Sequence, residues 1–84
     1  MSFEVRITRQ AKKDIEKLAP KQKARLRDIL LNVLAVDPYA GKKLLGDLSG
    51  SYSLRLNFKD RIVYSIDGSK KIVYIERSRT HYGD

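Results

Sequence analysis

The 84-residue chain contains no cysteine, which excludes disulfides and thiolate metal sites as supplements to its core and leaves the redox compartment open. It has no apolar run of membrane-spanning length. Its first residues, MSFEVRIT, place Glu4 and Arg6 in an alternating pattern where a signal peptide has an apolar stretch. A soluble cytoplasmic protein without a membrane partner is therefore expected. With a single histidine and no carboxylate cluster of metal-ligand spacing, nothing in the chain calls for a metal or another cofactor. Acidic residues are scarce as well: 10 Asp and Glu stand against 18 Lys and Arg, a formal net charge of +8. An excess of that sign draws polyanions or acidic proteins, and charge alone does not separate the two.

A chain of this length has room for one core, so residues 1–84 are read as one domain. Phe3, Val5 and Ile7 alternate with Glu4, Arg6 and Thr8 as in a short half-buried strand, and Thr8 is placed to cap a helix. Ala11, Ile15 and Leu18 recur at helical spacing, which predicts an amphipathic helix from Arg9 to Ala19. Pro20 is tolerated at the first position of a second helix, along which Leu26, Ile29, Leu30, Val33 and Leu34 form the apolar stripe. Asp37-Pro38 stops it, because the residue before proline avoids the helical region. Tyr39 to Gly50, with Gly41, Gly46 and Gly50, reads as a loop or irregular crossing.

The rest of the chain has the pattern of three strands. Tyr52, Leu54, Leu56 and Phe58 alternate with polar residues, as do Ile62, Tyr64 and Ile66, and Lys71 to Arg77 is a third β-rich run before a polar tail from Ser78 to Asp84. The expected fold is α+β: a strand, a helical hairpin, and a three-stranded antiparallel meander. One sheet face should bury Leu54, Leu56, Ile62 and Ile66 against the helices, leaving Arg55 and Arg61 on the other. The order of strands in the sheet is not fixed by the pattern.

Arg55 and Arg61 share the parity that points away from the helices, and two planar guanidinium groups on one surface suit phosphate oxygens. The same pattern also fits a plain solvated strand face. At the end of the last strand lie Arg77, Arg79, His81 and Tyr82. Imidazole titrates near neutrality, which fits it to move a proton when a 2′-hydroxyl attacks a phosphodiester. A neighbouring tyrosine can stack on a base, bond a phosphate or donate a proton.

The element order, with the segments DPYAGKKLLGDLSGSYSLRL, DRIVYSI and ERSRTHYGD, resembles the RelE/ParE toxin superfamily over essentially the whole chain, closest to its RelE and YoeB branches. The motifs that carry the resemblance are Leu48-Ser49-Gly50 before the strand bearing Arg55, Arg61-Ile62-Val63-Tyr64, and the closing His81-Tyr82 pair. The resemblance implies a microbial-RNase-like fold and a toxin that cleaves mRNA in the ribosomal A site without a metal. It also implies a cognate antitoxin protein that covers the basic site. In that reading Arg61 stabilises the scissile phosphate, His81 transfers a proton, and Tyr82 aids orientation or acid catalysis. Lys42, Lys43, Arg55, Arg77 and Arg79 would bind phosphate. YoeB-like members carry a glutamate base where this chain has Lys42-Lys43, as RelE-like members do, which leaves the base open between those lysines and Asp47. Two other readings keep the same sequence features: a ParE-like toxin that binds DNA gyrase without cutting RNA, and a non-catalytic RNA-binding module.

Overall fold

The computed structural model describes residues 2–44 and 50–80. The elements run β1 (Glu4–Ile7), α1 (Arg9–Glu16), α2 (Pro20–Ile29), β2 (Lys42–Lys43), β3 (Ser51–Arg55), β4 (Asp60–Asp67) and β5 (Ile72–Thr80). They form the expected mixed α+β fold. Thr8 caps α1 as anticipated, its hydroxyl accepting the Ala11 amide at 3.2 Å while donating to the Glu76 carbonyl on β5. That one side chain ties the start of the helix to the sheet.

The first helix stops at Glu16, three residues short of the expected end. The cause is Pro20: Ala19 before it is extended, at φ −63° and ψ 152°, so the chain must leave the helix earlier. It does so through tight bonds from the Lys17 and Leu18 amides back to Asp14 and Ile15. Pro20 opens α2, and the helix then widens into a π-turn over Leu30–Leu34, with the Ala35 amide bonded to the Leu30 carbonyl. Beyond it, Asp37 caps the short 3₁₀ turn Pro38–Ala40.

The sheet order is β1-β5-β4-β3-β2. The three C-terminal strands form the antiparallel meander, and β1 adds to β5 in parallel, which no local pattern specified. Three boundaries differ from expectation. Lys42–Lys43 is a short strand on β3, not loop. Ser78 to Thr80 belong to β5, not to a polar tail, because they pair with Ile62 to Asp60. And β3 ends at Arg55, since Asn57 builds a turn there: its Oδ1 accepts the amides of Lys59 and Asp60 at 2.7 Å each.

The core lies between the helices and one sheet face. Ala11 from α1, Leu26 from α2 and Leu34 from the π-turn meet Leu56, Ile62, Tyr64, Val73 and Ile75, all buried. Leu54 and Ile66 pack against this cluster half-buried, on the face the alternation assigned to them. No helix among the described residues is long and apolar enough to cross a membrane.

Candidate functional site

The opposite face of the sheet collects the cations. Arg55 on β3 pairs in register with Arg61 on β4, and Arg61 pairs on its other side with Arg79 on β5. Three arginines thus stand in one row across three strands. Like charges directly opposite one another on a sheet are destabilising. Among the described residues none of the three makes a side-chain hydrogen bond or ion pair that would offset this. A row of that kind has the charge and the donors to hold an anion.

Lys42 extends it. Its Cα partner is Ser53, two residues before Arg55 on the same strand face, and an open groove of about 280 Å³ there is lined by Gly41, Lys42, Ser53, Arg55 and Arg61. Lys43 pairs with Tyr52 and so has the opposite parity, away from that row. Arg77 lies one step along β5 from Arg79, but its Nε donates to Asp14 Oδ2 at 2.8 Å, which fastens β5 to α1. His81 and Tyr82 lie outside the described residues, as does Asp47; Thr80, which precedes the pair, is aligned with Asp60.

What places Lys42 is a residue from the motif valued for its arginine. Tyr64 is fully buried beneath the 38–41 segment, and its hydroxyl donates to the Pro38 carbonyl at 2.7 Å. Burial pushes the phenol up to about 12, with the Gly41 amide pulling the other way, so the hydroxyl stays protonated and serves as a donor. The Tyr64 ring stacks on Tyr52 at 5.7 Å, and Tyr52 meets Tyr39 edge-on at 6.1 Å. Gly41 is required by this closeness. A Cβ there would lie 2.0 Å from the Tyr64 hydroxyl and 2.9 Å from the Ser53 carbonyl oxygen. The adjacency of Gly41 to Lys42 was legible as a loop, whereas the contact with Tyr64 is long-range and left no local signal.

Glu76 is a second feature beyond the sequence reading. A β-bulge in the β4–β5 ladder sets Val63 opposite Arg77 and Tyr64 opposite Ile75, so Glu76 is the extra residue between them. Its Oε1 accepts the Ser51 hydroxyl at 2.9 Å, reaching over β4 to β3. Among the described residues no group of three or more His, Cys, Asp or Glu side chains is arranged to hold a metal ion.

Comparison with known proteins agrees with this architecture. The toxin–antitoxin complex RelBE2 from Mycobacterium tuberculosis matches with TM-score 0.88 and 30% identity over 96% of this chain and 93% of that one. The YoeB/ParE toxin from Agrobacterium tumefaciens matches with TM-score 0.80 and 25% identity over 95% of this chain and 100% of that one. The archaeal RelE in the RelE-RelB complex from Pyrococcus horikoshii shares the fold, with TM-score 0.82 and 23% identity over 100% of both chains. No curated protein sequence matches. A family model, described as the ParE-like toxin of type II bacterial toxin-antitoxin systems, matches residues 5–82. With its helices on one sheet face and its arginine row on the other, the chain belongs to the ParE-like toxin family of type II toxin-antitoxin systems, in the RelE/ParE superfamily.

Proposed function

We propose that this toxin is a ribosome-associated endoribonuclease that cleaves mRNA in the cytoplasm, with residues 1–84 acting as one toxin domain. The observation that supports this reading is the register Arg55–Arg61–Arg79, with Lys42 beside it: a row of cations on one sheet face, of the kind that contacts a phosphodiester backbone. In the reaction the 2′-oxygen forms a bond to phosphorus as the bond from phosphorus to the 5′-oxygen breaks. The products are a 2′,3′-cyclic phosphate and a 5′-hydroxyl. One proton leaves the 2′-hydroxyl and one reaches the 5′-oxygen. Arg61, at the centre of the row, meets the charge that builds on the phosphate oxygens, and Arg55 and Arg79 hold the flanking backbone. His81 carries the proton transfer and Tyr82 orients or protonates the leaving group. Lys42 holds phosphate at the groove, and Lys43 binds the backbone from the strand edge. Arg77 serves more as a positioning residue, since its bond to Asp14 fixes the strand on which Arg79 lies. The antitoxin partner is a protein that covers this basic face, in keeping with the RelBE2 and RelE-RelB complexes to which the chain is similar.

The test is to incubate the purified chain with translating ribosomes and map new mRNA 5′ ends. Cleavage by the wild type and its loss in Arg61→Ala, with the fold retained, is the expected result. The family model favours a second reading by its name, that of a ParE-like toxin acting on DNA gyrase. Inhibited supercoiling with intact mRNA, unaffected by Arg61→Ala, would establish that reading and overturn the nuclease.

A further inference from the structure

The hairpin that joins the arginine-bearing strands ends in a feature that folding does not need. Its turn is held by Asn57, which bonds the Lys59 and Asp60 amides and donates its own Nδ2 to Asp60 Oδ2 at 2.9 Å. The Leu56 amide closes the ladder onto the Asp60 carbonyl at 2.8 Å, and Arg25 from α2 donates to the Leu56 carbonyl. Phe58 sits inside this braced turn with 82% of its surface exposed, more than any other large hydrophobic residue described. Phe58 continues the alternation of Tyr52, Leu54 and Leu56 in sequence, but the turn takes it out of the strand.

Single exposed apolar residues are ordinary on protein surfaces. Position and company set this one apart. Ile7 and Leu31 line an apolar groove with β1 and α2, and Tyr39 packs edge-on against Phe3 and Tyr52. Phe58 makes no ring–ring contact among the described residues; its one aromatic interaction is with the Lys59 ammonium, 5.7 Å from the ring centre. It also lies three residues from both Arg55 and Arg61, the last rung of the ladder, hence within about 10 Å of either along the chain. An exposed aromatic ring on a braced turn, close in the chain to a row of cations, is an arrangement by which proteins take unpaired bases.

We propose that Phe58 is a base-stacking platform, which with Lys59 holds an unpaired nucleobase of the RNA strand whose phosphates lie on Arg55 and Arg61. The inference rests on the phosphate-binding reading of the arginine row. Stacking recognises the π-face that every base presents, so the platform adds affinity and register with little base preference.

The test compares two oligonucleotides that cannot be cut, a 2′-O-methyl RNA and an abasic strand of the same length and backbone, on the full chain at fixed salt. The wild type should bind the base-bearing strand about tenfold tighter than the abasic one. Phe58→Ala should bring that ratio close to one while leaving abasic affinity and the melting temperature unchanged. The chain has no tryptophan, so Phe58→Trp supplies a lone indole, which should keep the preference and be quenched by the base-bearing strand only. If Phe58→Ala binds both strands as the wild type does, the platform is overturned while the phosphate row stands. Should the wild type bind neither strand, the phosphate-row reading fails and the platform with it. A variant impaired only in binding the antitoxin would assign Phe58 to a protein interface, which also overturns the inference.

Discussion

The two faces of the central sheet obey opposite rules, and Arg61 and Ile62, neighbours on β4, show it most directly. Ile62 is fully buried against Leu26, Leu34 and Tyr64. Its side of the sheet is mostly apolar, and the Tyr64 hydroxyl there is hydrogen-bonded to the Pro38 carbonyl. Arg61 points the other way, between Arg55 and Arg79, where three like charges share a row with no described counter-charge. Removing apolar surface from water stabilises the first face. The second spends some of that stability on an electrostatic field that a polyanion relieves. One face makes the fold and the other makes use of it.

The sharpest way to break this comparison is to truncate the two neighbours separately. Ile62→Ala empties a fully packed site and should cost about 2–5 kcal/mol in urea unfolding, with the affinity of the remaining folded protein for a single-stranded oligonucleotide unchanged. Arg61→Ala should leave stability within about 0.5 kcal/mol of wild type or raise it slightly, because it relieves two like-charge pairs. It should instead weaken oligonucleotide binding and reduce the slope of log affinity against log salt by about 0.7 per lost contact. Comparable stability losses in both variants would mean that Arg61 has a structural partner and that the faces are not divided as described.

Gly41 is where the two faces are joined, since Tyr64 comes from the core side and Lys42 belongs to the groove. Gly41→Ala forces a Cβ against the Tyr64 hydroxyl and the Ser53 carbonyl, an overpacking that should cost about 1–3 kcal/mol. It should also lower oligonucleotide affinity, because the chain segment that carries Lys42 must lift off β3. Tyr64→Phe removes the nearest clashing atom, so the double variant should be less destabilised than the sum of the singles, while the Ser53 contact keeps the rescue partial. Strict additivity in thermal melts would show that the hydroxyl is not what excludes a side chain at position 41.

The legibility of each feature in the sequence is set by how local its determinant is. The Thr8 cap, the start of α2 at Pro20, the meander and the adjacency of Arg55 and Arg61 depend on spacing within a few residues, and spacing reports them. The parallel docking of β1 on β5 depends on contacts some seventy positions apart, such as Val5 with Val73, and no periodicity reports it. Arg79 enters the row only because Ser78 to Thr80 extend β5, a stretch without apolar alternation whose strand state is imposed by pairing with β4. Lys42–Lys43 is likewise a strand by pairing and not by propensity. Phe58 lies outside β3 because the alternation outlasts the strand, and the signal that ends it is Asn57, a residue favoured in turns. Of the candidate site, the strand arginines were visible and the tyrosine that sets the groove was not. His81, Tyr82 and Asp47 lie outside the described residues.

The smallest expected effect concerns the seam between α1 and the strand that carries Arg79. Asp14 is nearly buried, with a side chain 9% exposed, and burial alone would raise its pKa. The bonds it accepts from Arg77, the Ser78 amide and Gln10 outweigh that and hold the carboxyl below its ordinary value. A carboxylate whose pKa is lower in the folded state stabilises the fold above its unfolded value, and that contribution is lost as pH falls through the folded value. Stability should therefore decline below about pH 4 with a component that Asp14→Asn removes. Because Arg77 remains 44% exposed, solvent screens the pair, and its contribution at neutral pH should be about 0.2–1 kcal/mol. Urea unfolding from pH 3 to 7 on both proteins measures it. Parallel curves would dissociate Asp14 from the acid transition and leave the anchoring of β5 to the Thr8 hydroxyl and the β4 ladder.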